Sequence, residues 1–361
     1  MSEWKEAPLG DLINLKRGYD LPSNSRIEGK VPIFSSSGIS GFHNEKKANG
    51  PGVVTGRYGT IGQVFYASGS YWPLNTTLYV QDFKGNNPKF VYYFLQQLDW
   101  EKYSDKSAVP GVNRNDVHQE RVAFPQPSEQ QSIAAVLSSI DEKIDLLNRQ
   151  IQTLETMAAT LFRQWFVKDV QEGWVERPLS DIAHFLNGLA CQKYPATNAL
   201  EKLPVLKIKE LSGGISEASD WATSQVKPDY IVEAGDVIFA WSASLMVKVW
   251  NGEKCVLNQH LFKVTSNEFP KWFYLMWCKH HLAEFIAVAT SHATTMGHIK
   301  RGDLDTAMVL VPPPDVLENM TQQMQPLLDK QIANAKQRKT LEKLRDTLLP
   351  KLMSGEVRVT Y

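Results

Sequence analysis

The chain begins twice, and that duplication limits its possible folds more than any other feature of the sequence. "WKEAPLGDLINLKRG" starts at Trp4 and "WVERPLSDIAHFLNG" at Trp174. Trp4/Trp174, Pro8/Pro178, Leu9/Leu179, Asp11/Asp181 and Gly18/Gly188 recur at an offset of 170. Farther along, "PGVVTGRYGTIGQV" faces "AGDVIFAWSASLMV" and "WPLNTTLYV" faces "CVLNQHLFKV". This aligns Gly52 with Gly235, Leu74 with Leu257, Asn75 with Asn258 and Leu78 with Leu261 at an offset of 183. "NRNDVHQERVAFPQP" and "IKRGDLDTAMVLVPPP" then share Asp116/Asp303, Val122/Val309, Pro125/Pro312 and Pro127/Pro314 at 187. The offset only grows, as loop insertions in the second copy would make it. Such a period describes two copies of one domain-sized unit and not a solenoid of short repeats.

Each copy has the same two parts. The first mixes β-branched and aromatic runs with Gly, Ser and Asn turns and a few helices such as "KFVYYFLQQL" and "KWFYLMWCKHHLAEFIAVA". It ends in proline, "FPQPSEQ" or "VPPPDVLEN", where Ser128 or Asp315 is a plausible helix N-cap. The second part is a long helix. In copy one Ile133, Leu137, Ile140, Ile144, Leu147, Ile151, Leu154, Ala158, Leu161 and Trp165 alternate four- and three-residue steps, an a/d seam without Gly or Pro from Ser128 to Lys168. About 40 residues at ~1.5 Å per residue make a rod of roughly 60 Å. In copy two Met320, Met324, Leu327, Leu341, Leu344, Leu348 and Leu352 keep the register, but Gln331, Asn334 and Arg338 occupy its middle. Two readings fit that middle: a polar stretch that sets register, or a phase shift onto Ile332 and Ala335. Pro350 and Gly355 suggest an early end.

Two long helices separated by a globular module pair antiparallel if the module starts and returns at opposite ends of the rod. The expectation is therefore an α+β protein: two duplicated mixed α/β modules, 1–127 and 174–312, with spacer helices at 128–173 and 313–361. They would form a dumbbell with approximate two-fold symmetry about an antiparallel two-helix coiled coil.

Composition removes several functional classes. The 361 residues are 43% hydrophobic and 22% charged, enough for a sizeable core. No apolar run approaches the ~18 residues of a membrane span, and "MSEWKEAPLG" lacks the apolar core of a secretory signal. Cys191, Cys255 and Cys278 are odd in number and lack CxxC spacing, so neither a disulfide framework nor a thiolate metal site is expected. A reducing cytoplasm fits. Formal net charge is zero, and charge alone would not suggest a nucleic-acid ligand.

The order of the motifs resembles the type I restriction–modification specificity (S) subunit family, HsdS, over essentially the whole chain. The resemblance rests on the repeated "W…PLGDL…G" opening and on "GRYGTIGQV" followed by "LNTTLYV". It is carried further by "VAFPQPSEQQSIAAVLSSIDEKIDLLNRQIQTLE" and the closing "LRDTLLPKLMSGEV". It implies two target-recognition domains, each reading half of a bipartite DNA site. The helices would set the spacing and dock two modification (methyltransferase) subunits, which a restriction subunit joins. The chain would be non-catalytic, and S-adenosylmethionine, ATP and Mg would belong to the partners. Copy two departs where "GRYGTIG" becomes "AWSASLM", so a flexible tip is not guaranteed there.

Base reading needs loops carrying cationic, amide, hydroxyl and aromatic groups. In copy one these are Lys16, Arg17, Tyr19, Ser35, Ser36, Ser37, His43, Arg57, Tyr58, Thr60, Asn113 and Arg114. In copy two they are Gln192, Lys193, Lys207, Lys209, Trp241, Ser242, Gln259, His260, His292, Thr294, Thr295, His298, Lys300 and Arg301. Arg57–Thr60 and 291–301 are the favoured clusters. Pro8, Leu9, Asp11 and Gly18 are read as packing residues, and Asn75 and Asn258 as buried hydrogen-bonding groups. A self-contained methyltransferase or nuclease is disfavoured. "NPKF" lacks the second proline of an (N/D)PP(F/Y) motif, "GRYGTIG" has no following GK(S/T), and His280, His281, His292 and His298 show no HExxH. A coiled-coil scaffold whose modules bind something other than DNA is the other rival.

Overall fold

The computed structural model describes residues 4–104, 110–291 and 297–359. It divides into two compact units, Met1–Lys143 with Glu342–Tyr361, and Ile144–Leu341.

In the first unit, strand Lys5–Pro8 runs antiparallel to Arg121–Phe124. A four-stranded antiparallel sheet follows in the order Asn14–Arg17, Thr77–Asp82, Gly52–Gly56, Val64–Ala67. Its central strand Gly52–Gly56 is buried along its whole length, as a β-rich run between two covered faces should be. A smaller sheet joins Gly38–His43, Val31–Ser35 and Trp72–Pro73, the last pair parallel. Helix Pro88–Leu95 starts on an Asn87 cap whose side chain accepts from the Lys89 and Phe90 backbone N–H groups. Its Phe90, Val91, Phe94 and Leu95 join Leu9, Leu15, Val53 and Leu78 in the core.

The second unit repeats this plan. Val175–Pro178 pairs with Met308–Val311. The larger sheet runs His184–Asn187, Leu261–Thr265, Val237–Ala240, Met246–Val249, and the smaller one Trp221–Thr223, Lys202–Leu206, Cys255–Leu257, Ile231–Val232. Hydrogen bonds fix the correspondence. Gly18 N donates to Thr77 O and Gly188 N to Leu261 O; Tyr19 N donates to Pro73 O and Leu189 N to Leu257 O. A Cβ on Gly18 would lie 2.1 Å from Leu74 O, and one on Gly188 would lie 2.2 Å from Asn258 O. Only glycine lets the backbones approach so closely, which is why this residue recurs.

The same bonds correct one part of the sequence alignment. Thr77 corresponds to Leu261, Leu74 to Asn258 and Gly56 to Ala240, an offset of 184 where residue identities gave 183. The identities were one position out of register. Asn258 is buried as expected, but Asn75, its apparent counterpart, is only half-buried and bonds Asp20.

The helices span Pro127–Arg163, continued by a π-helical turn Gln164–Lys168, and Pro314–Met353. Each starts on its proline, so Ser128 and Asp315 are the second helical residues and not caps. Gln130 N and Leu317 N donate back to Gln126 O and Pro313 O. The helices run antiparallel in both units. In the first unit Arg345 Nη1 lies 3.2 Å from Asp141 Oδ1. In the second, Arg338 reaches Asn148 at 2.9 Å and Asn334 reaches Gln150 at 3.1 Å.

Ile133, Leu137, Ile140, Ile144, Leu147 and Ala158 are buried, with Ile151 and Leu154 half-buried. Toward the end Phe162 and Phe166 are buried while Leu161 and Trp165 move to the margin. A 3.6-residue helix drifts in this sense against a 3.5-residue pattern. The second helix departs more. Met320 and Met324 are buried, but from there Leu328, Ala335, Leu349, Leu352 and Met353 carry the packing. Leu327, Leu341 and Leu348 are half-buried, and Leu344, assigned to the seam, is 44% exposed. The inward position beside it belongs to Arg345, held by Asp141. The step falls just after Pro326, whose missing N–H leaves the Gln322 carbonyl without its helical donor. Both readings of the polar middle are realised, since buried Asn334 bonds Gln150 while Ala335 packs beside it. Pro350 does not end the helix; Gly355, at φ 75°, follows its last turn.

Candidate nucleic-acid interface

In the first unit three segments far apart in sequence converge on one open cleft of about 680 Å³. Its walls are Lys16, Arg17, Tyr19 and Asp20, then Arg57 and Tyr58, then Asn113, Arg114 and Asn115; Gly18, Leu78, Gly111 and Val112 form the floor. Backbone pairing brings them together. Arg57 N donates to Thr76 O at 2.9 Å, Val112 N donates to Arg57 O at 3.0 Å, and Tyr58 bridges Gly111. The Arg57 guanidinium lies 4.3 Å from the centre of the Tyr58 ring. Among the described residues none of Lys16, Arg17, Arg57 and Arg114 is ion-paired to a carboxylate. Among the described residues lining the cleft, four cations face one carboxylate, Asp20, so this lining is cationic although the chain is neutral overall.

Tyr19 OH lies 3.0 Å from Tyr79 OH. Burial pushes the Tyr79 hydroxyl up, whereas the bond from Tyr79 and the charge of Lys16 bring Tyr19 below its ordinary value. Either hydroxyl can donate in this pair, which holds the Tyr19 ring at the wall of the cleft. Asn113 Oδ1 accepts from Asn115 N, so this side chain also starts helix Arg114–Gln119.

The remaining first-unit candidates lie around the cleft or away from it. Thr60 and Ser36 buttress the hairpin: a Cβ on Gly56 would meet Thr60 O at 1.8 Å and Ser36 O at 3.2 Å. Ser35 bonds Ser37 and Gly38 O within its own turn. His43 is not a reader. It is buried, with Nδ1 on the Ile27 backbone and its ring edge-on to Trp72. Asp20 and Asn115 were not singled out from sequence, and only the assembled cleft marks them.

The second unit builds the same corner from different chemistry. Ile299 N donates to Trp241 O and Ser242 bridges His298, the counterparts of Val112–Arg57 and Tyr58–Gly111. Trp241 stacks on Phe262 at 5.6 Å, with the His260 and His298 rings 6.1 and 6.4 Å away. Its indole N–H donates to Asn187 Oδ1 at 3.2 Å. Ser242 is buried, and its Oγ holds His260 Nδ1 at 3.1 Å, so it positions the imidazole and does not itself face outward. The tip that the sequence does not guarantee in this copy is present as a turn. Ala243 takes φ 56° where Gly59 takes 78°, and its N–H donates to Gly297 O.

Gln192, Lys193, Lys209 and Lys300 are exposed, and Gln259 is half-buried. Lys207 is ion-paired with Asp220, whose carboxyl it holds below the usual range, so its charge is already neutralised. Arg301 opens instead onto a separate cleft of about 520 Å³ with Asp181, Glu268 and Asp305, whose acids disfavour phosphate. His292, Thr294 and Thr295 lie outside the described residues. Among the described residues no cluster of His, Cys, Asp or Glu is placed to hold a metal, and no helix is long and apolar enough to cross a membrane. All three cysteines are buried and unpaired, and burial raises their thiols.

A family model described as the type I restriction modification DNA specificity domain matches residues 1–156 and again 171–343. The chain belongs to the type I restriction–modification DNA specificity family. The two matches fall on the two structural repeats, and the role of the polypeptide is that of a DNA specificity subunit. It is 28% identical over 322 residues to the type I restriction enzyme MjaIX specificity subunit of Methanocaldococcus jannaschii, covering 80% of this chain and 74% of that one. It is 26% identical to the EcoprrI specificity subunit of Escherichia coli over 45% of this chain and 41% of that relative. The crystal structure of the S subunit from M. genitalium shares the fold, with a TM-score of 0.69 and 17% identity over 99% of this chain and 97% of that one.

Proposed function

We propose that the cleft of the first unit reads one half of a bipartite DNA site and the Trp241–His260–His298 corner of the second reads the other. The carrying observation is the convergence of Lys16, Arg17, Arg57 and Arg114 on one open cleft, without carboxylate partners among the described residues. Phosphate contacts give a protein its register on the duplex, and donors aimed at base edges give it sequence. The cleft offers both kinds of group.

In this reading the antiparallel helices set the gap between half-sites and dock two modification subunits, with Leu146, Met157 and Leu344 supplying exposed apolar side chains. A restriction subunit joins through those subunits. Methyl transfer, ATP use and cleavage, with S-adenosylmethionine, ATP and Mg, belong to the partners, and the complex works in the cytoplasm. The chain alone binds DNA weakly.

A gel-shift with the co-expressed modification complex tests this. Specific duplex should be retained over scrambled duplex, and replacing Lys16, Arg17, Arg57 and Arg114 by alanine should abolish the preference. Equal affinity for all sequences with the unaltered chain, or an unchanged preference in the fourfold variant, overturns it.

A further inference from the structure

The repeat correspondence brings out a difference between the two corners that neither shows alone. Arg17 pairs with Leu78 as Asn187 pairs with Phe262, so Arg17 and Asn187 are counterparts, as are Arg57 and Trp241. In the first unit these positions hold two guanidinium groups without carboxylate partners among the described residues. In the second they hold an amide and an indole bonded to each other, with the indole stacked on Phe262. The donor of Trp241 is engaged by Asn187 and is not free for a base edge while that bond is made.

We infer that Arg57 is the residue that specifies a guanine in one half-site, and that the other half-site has no equivalent arginine-read base. This rests on the proposal that the two corners face DNA. Arg57 is favoured over its cationic neighbours because its main chain is bonded on both sides, to Thr76 O and from Val112 N, and its guanidinium lies against the Tyr58 ring. A planar fork held in one orientation matches guanine O6 and N7 in the major groove. Arg17 and Arg114 are exposed, and Lys16 carries a point charge; these suit phosphate. His260 and His298 occupy positions held in the first unit by Thr76 and Gly111. They give the second corner single donors and acceptors in place of a fork.

The test is the Arg57→Lys variant, which keeps the charge and removes the fork, in complex with its modification subunits. Methylome sequencing of cells and competition binding with duplexes changed at one base pair give the readouts. In the unaltered complex, replacing one G·C pair in one half-site should weaken binding by roughly ten- to a hundredfold. In Arg57→Lys that single discrimination should collapse and the methylated motif become degenerate at that position, with the other half-site unchanged. Arg17→Ala should weaken binding to all duplexes alike and lower its salt dependence. Trp241→Phe keeps the ring stack and should relax no guanine position.

An unchanged motif in Arg57→Lys, or relaxation in the half-site read by the second unit, overturns the inference. The fourfold alanine variant separates the two levels. If it loses specificity while Arg57→Lys retains the full motif, only the guanine assignment fails. If it too retains the motif, the DNA-facing role of the cleft fails as well. Thermal unfolding of Arg57→Lys should match the parent, because the side chain is half-exposed and its main-chain bonds are kept.

Discussion

Removing Arg358 should destabilise the first unit far more than a surface substitution would. The Glu129 side chain is 3% exposed, and both of its oxygens meet the Arg358 guanidinium, through Nε and through Nη2 at 2.6 Å. The Arg358→Ala variant leaves this buried carboxylate without its guanidinium partner. Breaking a buried pair from one side costs about 3–5 kcal/mol. Arg358 is itself 25% exposed, so water reaches the gap and about 2–3 kcal/mol is the better figure. The guanidinium also lies 5.8 Å from the Trp4 ring centre, which adds about 0.5 kcal/mol. At ~2–4 °C per kcal/mol for a unit of this size, the melting step of the first unit should fall by roughly 6–12 °C. Hydrogen exchange of the 129–141 segment isolates that unit from the second. The Glu129→Gln, Arg358→Ala double variant carries no buried charge and should recover more than half of the loss. A single variant within about 0.5 kcal/mol of the parent, or a double variant worse than the single, refutes the reasoning.

Three further outcomes are open to measurement. Gly18→Ala and Gly188→Ala should each cost about 3 kcal/mol or more in their own unit, because the new Cβ overlaps the Leu74 or Asn258 carbonyl; unit-resolved hydrogen exchange reads this, and a tolerated alanine contradicts the close approach. His118 accepts from Leu15 N, and its burial, then Arg114 and Lys84, hold its pKa below the ordinary value. The unfolded chain therefore takes up the proton first, so first-unit stability is present above about pH 6.5 and is lost as pH falls through the depressed folded value; His118→Gln should flatten that slope in urea titrations between pH 7 and 5. Ala243→Gly relieves a left-handed alanine worth about 1–2 kcal/mol and gives back roughly half in unfolded-chain entropy, so a gain near 0.5 kcal/mol is expected in denaturant unfolding, and a clear loss would count against the strained turn.

The duplication was legible because its markers hold equivalent places in the two units. Gly18 and Gly188 pack against carbonyls, and Leu9 and Leu179 donate to Glu120 and Ala307 in the same way. Asn75 and Asn258 misled because they are identical without being equivalent. In the second helix the leucines at 341, 344 and 348 mimic a seam that has stepped by one residue after Pro326, and a heptad count cannot register that step. Glu129 and Gln130, within the segment "VAFPQPSEQQ" that carries the resemblance, prove architectural. Gln130 ties Asn86, Asn87 and Pro125 to the helix start, and Glu129 takes the arginine of the tail. The cationic loops of the first unit could be named from sequence. The Asn187–Trp241 bond could not, since it joins residues 54 apart across two strands.

The first unit is discontinuous in sequence, and this bears on how the protein is made. Leu349, Leu352 and Met353 complete the core that holds Leu9, Ile133 and Leu137. When residue 143 leaves the ribosome, that core still lacks a wall, and the missing side chains are about two hundred residues away. At ~5–20 residues per second the wait is roughly 10–40 s, during which the second unit, continuous from Ile144 to Leu341, has everything it needs to fold. The module synthesised first is thus the one finished last.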